Sequence, residues 1–196
     1  MRFIFKTSYL QDIRLIKHGG QAFWYGLLVV TLFASPWIVT EYWLAQLTFV
    51  LIYSIVGLGL MLLSGYTGLF SLGHAAFLGV GAYTEAALGH AGWPFPASFA
   101  AAALVAAATG VVVGLPALRV RGIYLAIATL AFGFIVVEVF ARWESVTGGN
   151  AGKQVQALRA FGWRADADVP FYFVCLAVML GLDLTLYRLF RRSGWL

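Results

Sequence analysis

Hydroxyl and titratable side chains inside the apolar parts of this sequence are the residues that could do chemistry. Ser71 and His74 lie three residues apart, which would bring both side chains to one face of a helix. A serine nucleophile would also need an orienting carboxylate and an oxyanion site, and the sequence offers neither beside them. We therefore predict no catalytic residues and a chain that is not an enzyme.

Acidic residues in apolar surroundings have simpler interpretations as ion pairs. Glu138 lies four residues before Arg142, which is the spacing of a helical ion pair. Asp183 lies near Arg188 and the arginines that follow it, so a charge cluster at a helix end is favoured. Neither residue needs a transport role to explain it.

Glu85 and His74 have no such local partner. Glu85 could reach the membrane surface or line a polar path, and the sequence leaves both open. For His74, a hydrogen bond to nearby backbone or hydroxyl groups is favoured over a proton relay. Intramembrane ionisable residues are functional hypotheses by default, so both remain candidates.

Metal and cofactor binding are not predicted for this chain. His18, His74 and His90 are scattered and lack cysteine or carboxylate partners at ligand spacing. The glycines are not followed by the lysine of a phosphate-binding loop. The single cysteine, Cys175, cannot form an internal disulfide.

The amino-acid composition indicates the fold class that holds these polar and titratable residues. The chain is 62% hydrophobic and 11% charged, whereas a soluble domain carries roughly 25% charged residues. We predict an all-α, polytopic membrane protein with about six transmembrane helices, one of them broken or re-entrant. The spans are residues 22–39 (ending near Ser35-Pro36), 43–63, 65–88, 95–118, 122–140 and 169–190. Residues 1–21 form a segment before the membrane domain of 22–196, and 141–168 is the sizeable polar loop.

The basic residues predict which side of the membrane each loop occupies. With a cytoplasmic N-terminus, nine Lys and Arg residues fall inside and four outside, those four in or beside the 141–168 loop. Positively charged loops stay in the cytoplasm. We predict a multi-pass protein with a cytoplasmic N-terminus and an external 141–168 loop. The basic residues are split into short clusters, so nucleic-acid binding is not predicted.

The stretch 65–88, GYTGLFSLGHAAFLGVGAYTEAAL, combines many glycines with polar residues. It is either a broken helix that lines a path or a tightly packed helix. In its second half, Ala75, Gly79, Ala82 and Ala86 form a small-residue stripe that favours packing, and a bulky residue at Gly79 should abolish uptake or assembly. Its first half, GYTGLFSLGH, favours irregular backbone near a path. A second small-residue ladder predicts close packing of the fourth span and comprises Ala102, Ala106, Gly110 and Gly114.

Two motifs resemble the branched-chain amino acid permease family of ABC importers, and within it the LivM-like subunit. The first is the 65–88 stretch, and the second is LRVRGIYLAIATLAFGFIVVEVF followed by WESVTGGNAG. The first motif supplies our candidate translocation or packing residues: Gly65, Tyr66, Gly68, Ser71, Gly73, His74, Gly79, Gly81, Tyr83 and Thr84. The second supplies a candidate external loop of Thr147, Gly148 and Gly149.

The resemblance implies a permease subunit of the plasma (inner) membrane. Its implied partners are a homologous second permease, two cytoplasmic ATPase subunits that bind and hydrolyse ATP, and an external substrate-binding protein. The motif does not identify the solute, so a urea or amide permease of the same family is an alternative. A non-transporting membrane assembly subunit is another, and a passive channel a weaker one.

Two departures from the family pattern affect these expectations. Lys153 follows the TGG loop where the family usually turns apolar, so the external docking surface is expected to differ. Family members also continue past a basic helix end such as RLFRRSGWL into a segment that couples to the ATPase. We therefore expect the chain to be a truncated copy, a fragment or half of a split gene.

Overall fold

The computed structural model describes residues 19–69, 71–117, 119–120, 122–155, 158–160, 163–165 and 168–192, and these are almost entirely helical. Within them, the all-α prediction is confirmed, and a two-stranded antiparallel hairpin is the one addition. The elements are α1 (Gly19–Ile38), α2 (Glu41–Thr67), α3 (His74–His90), α4 (Phe95–Ala117), α5 (Ile123–Arg142), α6 (Glu144–Thr147), a 3₁₀ turn (Gly149–Ala151), β1 (Leu158–Ala160), β2 (Trp163–Ala165) and α7 (Asp168–Arg192).

Five helices are long and apolar enough to cross a membrane: Gly20–Ile38, Glu41–Thr67, Phe95–Ala117, Ile123–Arg142 and Val169–Leu189. They correspond to five of the six predicted spans, and the chain is a multi-pass membrane protein. The exception is α3, whose 17 residues give a length of roughly 25 Å, short of the ~30 Å hydrocarbon core. The predicted third span started too early, because residues 65–67 belong to α2.

Helices α1, α2 and α7 form one packed group. Its core is the contact between α2 and α7, where Leu44 and Leu51 meet Tyr172, Cys175 and Leu176. Tyr172 and Leu176 are almost fully buried. This group therefore joins the first two helices of the described chain to the last one.

Pro36 lies inside α1, although the sequence predicted that the helix ends near Ser35-Pro36. Proline has no N–H, so the carbonyl of Leu32 loses its helical hydrogen bond. The hydroxyl of Tyr172 donates to that carbonyl at 2.9 Å and accepts from the hydroxyl of Ser35 at 3.0 Å. The hydroxyl of Ser35, in α1 itself, also lies 2.9 Å from this carbonyl. The freed group is thus satisfied by both helices, and α1 continues to Ile38.

Helices α3, α4 and α5 form the second packed group. α4 runs antiparallel to α3, since Gly110 lies beside Phe77 and Ala106 beside Gly81. α5 runs parallel to α3, and its Phe140 contacts Tyr83. Ala106 and Gly110 of the predicted small-residue ladder therefore pack against α3, and Ala102 is buried, whereas a Cβ on Gly114 would meet nothing within 4 Å.

Several predictions lie outside the described residues. They concern most of the 1–21 segment, including His18, and also Phe70, Leu118, Arg121 and the C-terminal Trp195-Leu196. The side chains of Arg159, Arg164, Arg191 and Arg192 belong to the same set.

Candidate functional site

The helical chain breaks between Thr67 and His74. Gly68 ends α2 in the left-handed conformation (φ +65°), and its N–H bonds the carbonyl of Ser64 at 3.1 Å. This conformation favours glycine, which explains why α2 stops at this position. The described residues from 68 to 73 are not helical. The irregular backbone predicted for GYTGLFSLGH is thus confirmed for its second part, which we call the break segment (residues 68–73).

The break segment lies directly on the backbone of α5. The N–H of Leu72 donates to the hydroxyl of Thr129 at 3.0 Å. Gly73 is buried, and a Cβ placed on it would lie only 2.2 Å from the Thr129 carbonyl oxygen. Only glycine permits this close approach, so the break segment packs directly against the backbone of α5 at a fixed position.

His74 begins α3 next to the break segment. Its ring packs edge-on against Phe77, which in turn contacts Phe132 of α5. A Cβ placed on Gly59 of α2 would lie 3.1 Å from the His74 Nε2 atom, so glycine there makes room for the ring. The hydrogen bond predicted for His74 is not found in the described part of the chain, and the ring remains partly accessible.

A cavity of about 680 Å³ lies among α2, the break segment, α3, α4 and α5. This volume is within the range of roughly 300–1,000 Å³ typical of small-ligand sites. Three polar side chains line it, those of Ser71, His74 and Thr129. The other lining residues are glycine, alanine, phenylalanine and aliphatic residues, among them Leu62, Leu63, Val113, Leu125 and Gly114. The arrangement can therefore hold a small solute with a polar end and an apolar body.

The second half of the glycine-rich stretch is a packing element. A Cβ on Gly79 would lie 2.7 Å from the ring of Phe140, and Tyr83 stacks on the same ring at 4.6 Å. The hydroxyl of Thr84 bonds back to its own helix at Val80. α3 is thus a packing helix, and the predicted stripe is packed at Gly79 and Ala86 but not along its whole length.

Ala75 and Ala82 of that predicted stripe are exposed, and only Ala86 is buried. The reason is that α4 and α5 approach α3 from two sides. The face of Phe77 and Gly81 meets α4, and the face of Gly79 and Tyr83 meets α5. A single stripe could not describe both contacts.

The acidic residues lie away from the cavity. The predicted ion pair between Glu138 and Arg142 is present at 2.5 Å on the surface of α5. Glu85 lies within 3.4 Å of the fully buried hydroxyl of Ser98 on α4, so it faces protein rather than a path. Asp183 makes no ion pair within the described residues.

The TGG motif folds into a compact turn beyond α5. Thr147 is 1% exposed, and its hydroxyl lies 2.6 Å from the Phe140 carbonyl and accepts from the Gly149 N–H at 3.1 Å. Gly148 and Gly149 both have positive φ, and a Cβ on Gly148 would lie 2.4 Å from the Gly152 carbonyl. The motif is therefore a glycine-dependent structural turn.

Lys153 forms a hydrogen bond within this turn. Its ammonium group donates to the Val146 carbonyl at 3.1 Å. At the adjoining end of α3, the ring of His90 lies 2.7 Å from the carbonyl oxygen of Gln154. The loop is thus attached to α3 as well as to α5.

The predicted candidates divide into four places. Ser71 and His74 reach the cavity, and Gly73 seats the break segment that carries Ser71. Gly65 and Tyr66 lie in α2 and do not line the cavity, and Gly68 caps that helix. Gly79, Gly81, Tyr83 and Thr84 belong to α3, while Thr147, Gly148 and Gly149 form the separate turn.

Cavity residues from other helices were missed as site residues. Thr129, Gly59 and Gly114 line the cavity together with His74. They lie 55, 15 and 40 positions from His74 in the sequence, so no local pattern connects them. Only the small-residue ladder pointed to α4, and it indicated packing.

The described residues form a multi-pass helical membrane protein in which a non-helical segment between α2 and α3 borders the cavity. The family model described as branched-chain amino acid transport system / permease component matches residues 42–194. The chain therefore belongs to this permease family, since the match covers more than three quarters of its 196 residues.

Two curated relatives share this similarity. The high-affinity branched-chain amino acid transport system permease protein LivM of Escherichia coli is 42% identical over 137 residues, which is 69% of this chain and 32% of the relative. LivM of Salmonella typhimurium has the same identity and coverage. The chain thus spans about a third of the length of these relatives. No solved structure matches significantly.

Proposed function

We propose that this chain is a permease subunit of an ATP-driven importer of branched-chain amino acids. The observation that carries the proposal is that Ser71 and His74, within the region that matches the family, line one cavity whose other walls are mostly apolar. Polar side chains at membrane depth characteristically face a solute path or other protein. The relatives' names support the choice of solute.

The break segment forms one wall of the proposed path. Non-helical backbone at membrane depth is tolerated where it is buried in protein or lines a cavity, and the seat of Gly73 on Thr129 fixes its position. Solute would contact a firmly held surface on this side, while the ends of α2 and α4 form the opposite walls.

The chain is a non-catalytic member of a larger complex in this proposal. Two cytoplasmic ATPase subunits bind and hydrolyse ATP, and a homologous second permease completes the membrane part. An external substrate-binding protein delivers solute to the face that carries the 141–168 loop. ATP binding by the partners shifts the permease pair between outward-facing and inward-facing states.

The proposed location is the plasma (inner) membrane, with the N-terminus in the cytoplasm. The distribution of nine basic residues inside and four outside supports this orientation. The cavity then lies toward the cytoplasmic ends of α2 and α4, near Leu63 and Ala117, and the TGG turn lies on the external side.

Uptake of labelled leucine tests the proposal. The full chain is expressed with the subunits encoded beside it, in cells lacking their own branched-chain amino acid importers. We expect leucine uptake that stops when the ATPase partner is inactivated. Ser71→Ala should lower uptake at subsaturating leucine, because it removes a polar group from the cavity. Ser54→Ala is the matched control, since Ser54 bonds Val50 of its own helix and does not line the cavity.

Two results would contradict this assignment. Uptake of labelled urea or acetamide in place of leucine would show that the chain is an amide permease of the same family. Absence of uptake of any of these solutes, with the complex intact in the membrane, would instead support a non-transporting assembly subunit.

A further inference from the structure

The hydroxyl of Thr129 bonds two elements at once. It donates to the Ala126 carbonyl of its own helix, α5, at 3.0 Å and accepts from the N–H of Leu72 at 3.0 Å. The hydroxyls of Thr31 and Thr109, by contrast, bond back to a carbonyl of their own helix. Thr129 therefore attaches the break segment to α5 by a side-chain hydrogen bond.

The bond to Leu72 acts on the peptide group that follows Ser71. The Leu72 N–H and the Ser71 carbonyl belong to one planar peptide unit, so fixing this N–H restricts the backbone rotation that orients Ser71. Ser71 and Thr129 line the same cavity. The hydroxyl of Thr129 is thus placed to set the direction in which the Ser71 side chain points.

The other contacts of the break segment restrain this peptide less. Gly73 lies against the Thr129 carbonyl, but a van der Waals contact limits approach without setting an orientation, whereas a hydrogen bond is directional. The Leu72 side chain is 61% exposed, so its own packing within the described chain contributes little. The orientation of Ser71 therefore depends on the Thr129 hydroxyl.

We propose that Thr129 is a positioning residue for solute binding, whose hydroxyl holds the peptide after Ser71 so that the Ser71 side chain faces the cavity. The inference rests on the proposed transport function, in which the Ser71 hydroxyl contacts the solute. Thr129 itself lines the cavity, so a direct contact between its hydroxyl and the solute is the competing explanation. The two explanations differ in whether the effect of Thr129 requires Ser71.

Leucine uptake by Thr129→Val in the full complex tests this role. Valine keeps the branched shape of threonine and replaces the hydroxyl by a methyl group, so the hydrogen bond to Leu72 is lost. We expect the KM for leucine to rise by roughly two- to tenfold, while the maximal rate per complex in the membrane stays within about twofold. Thr129→Ser keeps the hydroxyl and should retain the wild-type KM. Thr31→Val is the matched control, since Thr31 is exposed on α1 and bonds Leu27 of its own helix.

A double-mutant cycle with Ser71→Ala separates the two explanations. If Thr129 acts through Ser71, Thr129→Val should change the KM by less than about twofold once Ser71→Ala is present. Equal effects of Thr129→Val with and without Ser71→Ala would show a direct contact or a general loss of stability and overturn the inference. An unchanged KM in Thr129→Val alone would overturn it too.

Cysteine labelling at position 71 measures the positioning without transport. Ser71→Cys is made in a Cys175→Ala background, and inside-out membrane vesicles are treated with a charged methanethiosulfonate reagent. Adding Thr129→Val or Thr129→Ala should change the labelling rate by roughly two- to tenfold, because the freed peptide samples other orientations. Thr129→Ser and Thr31→Val should leave the rate unchanged.

The labelling outcomes distinguish a failure of the positioning from a failure of the transport function. Equal labelling rates in all variants would overturn the inference, whether or not the complex takes up leucine. Failure of the unmodified complex to take up leucine, with labelling that still depends on Thr129, would contradict the proposed function alone. Absence of labelling in every variant would show that position 71 does not reach an accessible cavity and would contradict both.

Discussion

Among the described glycines, Gly73 lies closest to the backbone of a neighbouring helix. A Cβ added to it would lie 2.2 Å from the Thr129 carbonyl oxygen and 3.5 Å from the ring of Phe132. Backbone of α5 cannot move aside as a flexible side chain can. The break segment would have to move away from α5, and the hydrogen bond from Leu72 to Thr129 would be lost.

Gly73→Ala should therefore destabilise the protein by about 1–3 kcal/mol or more, the usual effect of overpacking. Gly65→Ala should have the opposite sign, because Gly65 is helical, has nothing within 4 Å of an added Cβ, and alanine is favoured in a helix by roughly 0.5–1 kcal/mol. Thermal aggregation midpoints in detergent measure both. Equal midpoints for the two variants would show that the break segment is not seated on α5.

The sequence could identify the glycine-rich stretch but could not rank its glycines. It singled out Gly79, whose added Cβ would meet the ring of Phe140 at 2.7 Å. A ring can shift more readily than backbone, so the structure makes Gly73 the stricter position. The difference depends on which part of α5 lies opposite, and a single sequence does not contain that distance.

At the scale of elements, α1 continues past Pro36 with hydrogen bonds from both α1 and α7 to the carbonyl that proline leaves free. The Leu32 carbonyl that proline leaves free accepts the Tyr172 hydroxyl at 2.9 Å, and Tyr172 is fully buried. Proline alone predicts a helix end, and that prediction was wrong. Of the two hydroxyl groups beside that carbonyl, the one of Ser35 is local, whereas Tyr172 lies 140 positions away, beyond the reach of any local rule.

Tyr172→Phe should cost about 0.5–1.5 kcal/mol of stability, because one hydrogen bond to the Leu32 carbonyl is lost while the Ser35 hydroxyl stays within 2.9 Å of it. The ring and its packing remain, so uptake should persist below the shifted melting temperature. Tyr53→Phe is the matched control, since Tyr53 is 65% exposed on α2. Thermal melting in detergent gives both values. A shift no larger than that of Tyr53→Phe would mean that Tyr172 does not stabilise α1 through its hydroxyl.

At the scale of the whole molecule, hydropathy and basic residues predicted the helices and their order well. Five predicted spans match helices long enough to cross a membrane. Composition alone could not show that residues 65–67 extend α2, or that α3 begins beside Gly59 of that helix. Gly59 lies eight residues before the end of α2, about 12 Å back along it, so the chain turns back toward the helix interior before α3 starts.

This arrangement makes a definite prediction about sidedness. Asn150 of the TGG turn and Arg119 of the turn after α4 are both exposed, and α5 separates them. Since α5 is 20 residues long and apolar enough to cross a membrane, or about 30 Å, the two positions should lie on opposite faces of the membrane. The positive-inside rule assigns Arg119 to the cytoplasm.

Single cysteines at these positions, Asn150→Cys and Arg119→Cys in a Cys175→Ala background, measure the orientation. A membrane-impermeant maleimide added to intact cells should label position 150, and position 119 should react only after permeabilisation. The reverse pattern would place the 141–168 loop in the cytoplasm and remove it as the surface for an external binding protein. Reaction of both positions from the same side would show that α5 does not cross, because it is the one helix between them long enough to cross a membrane.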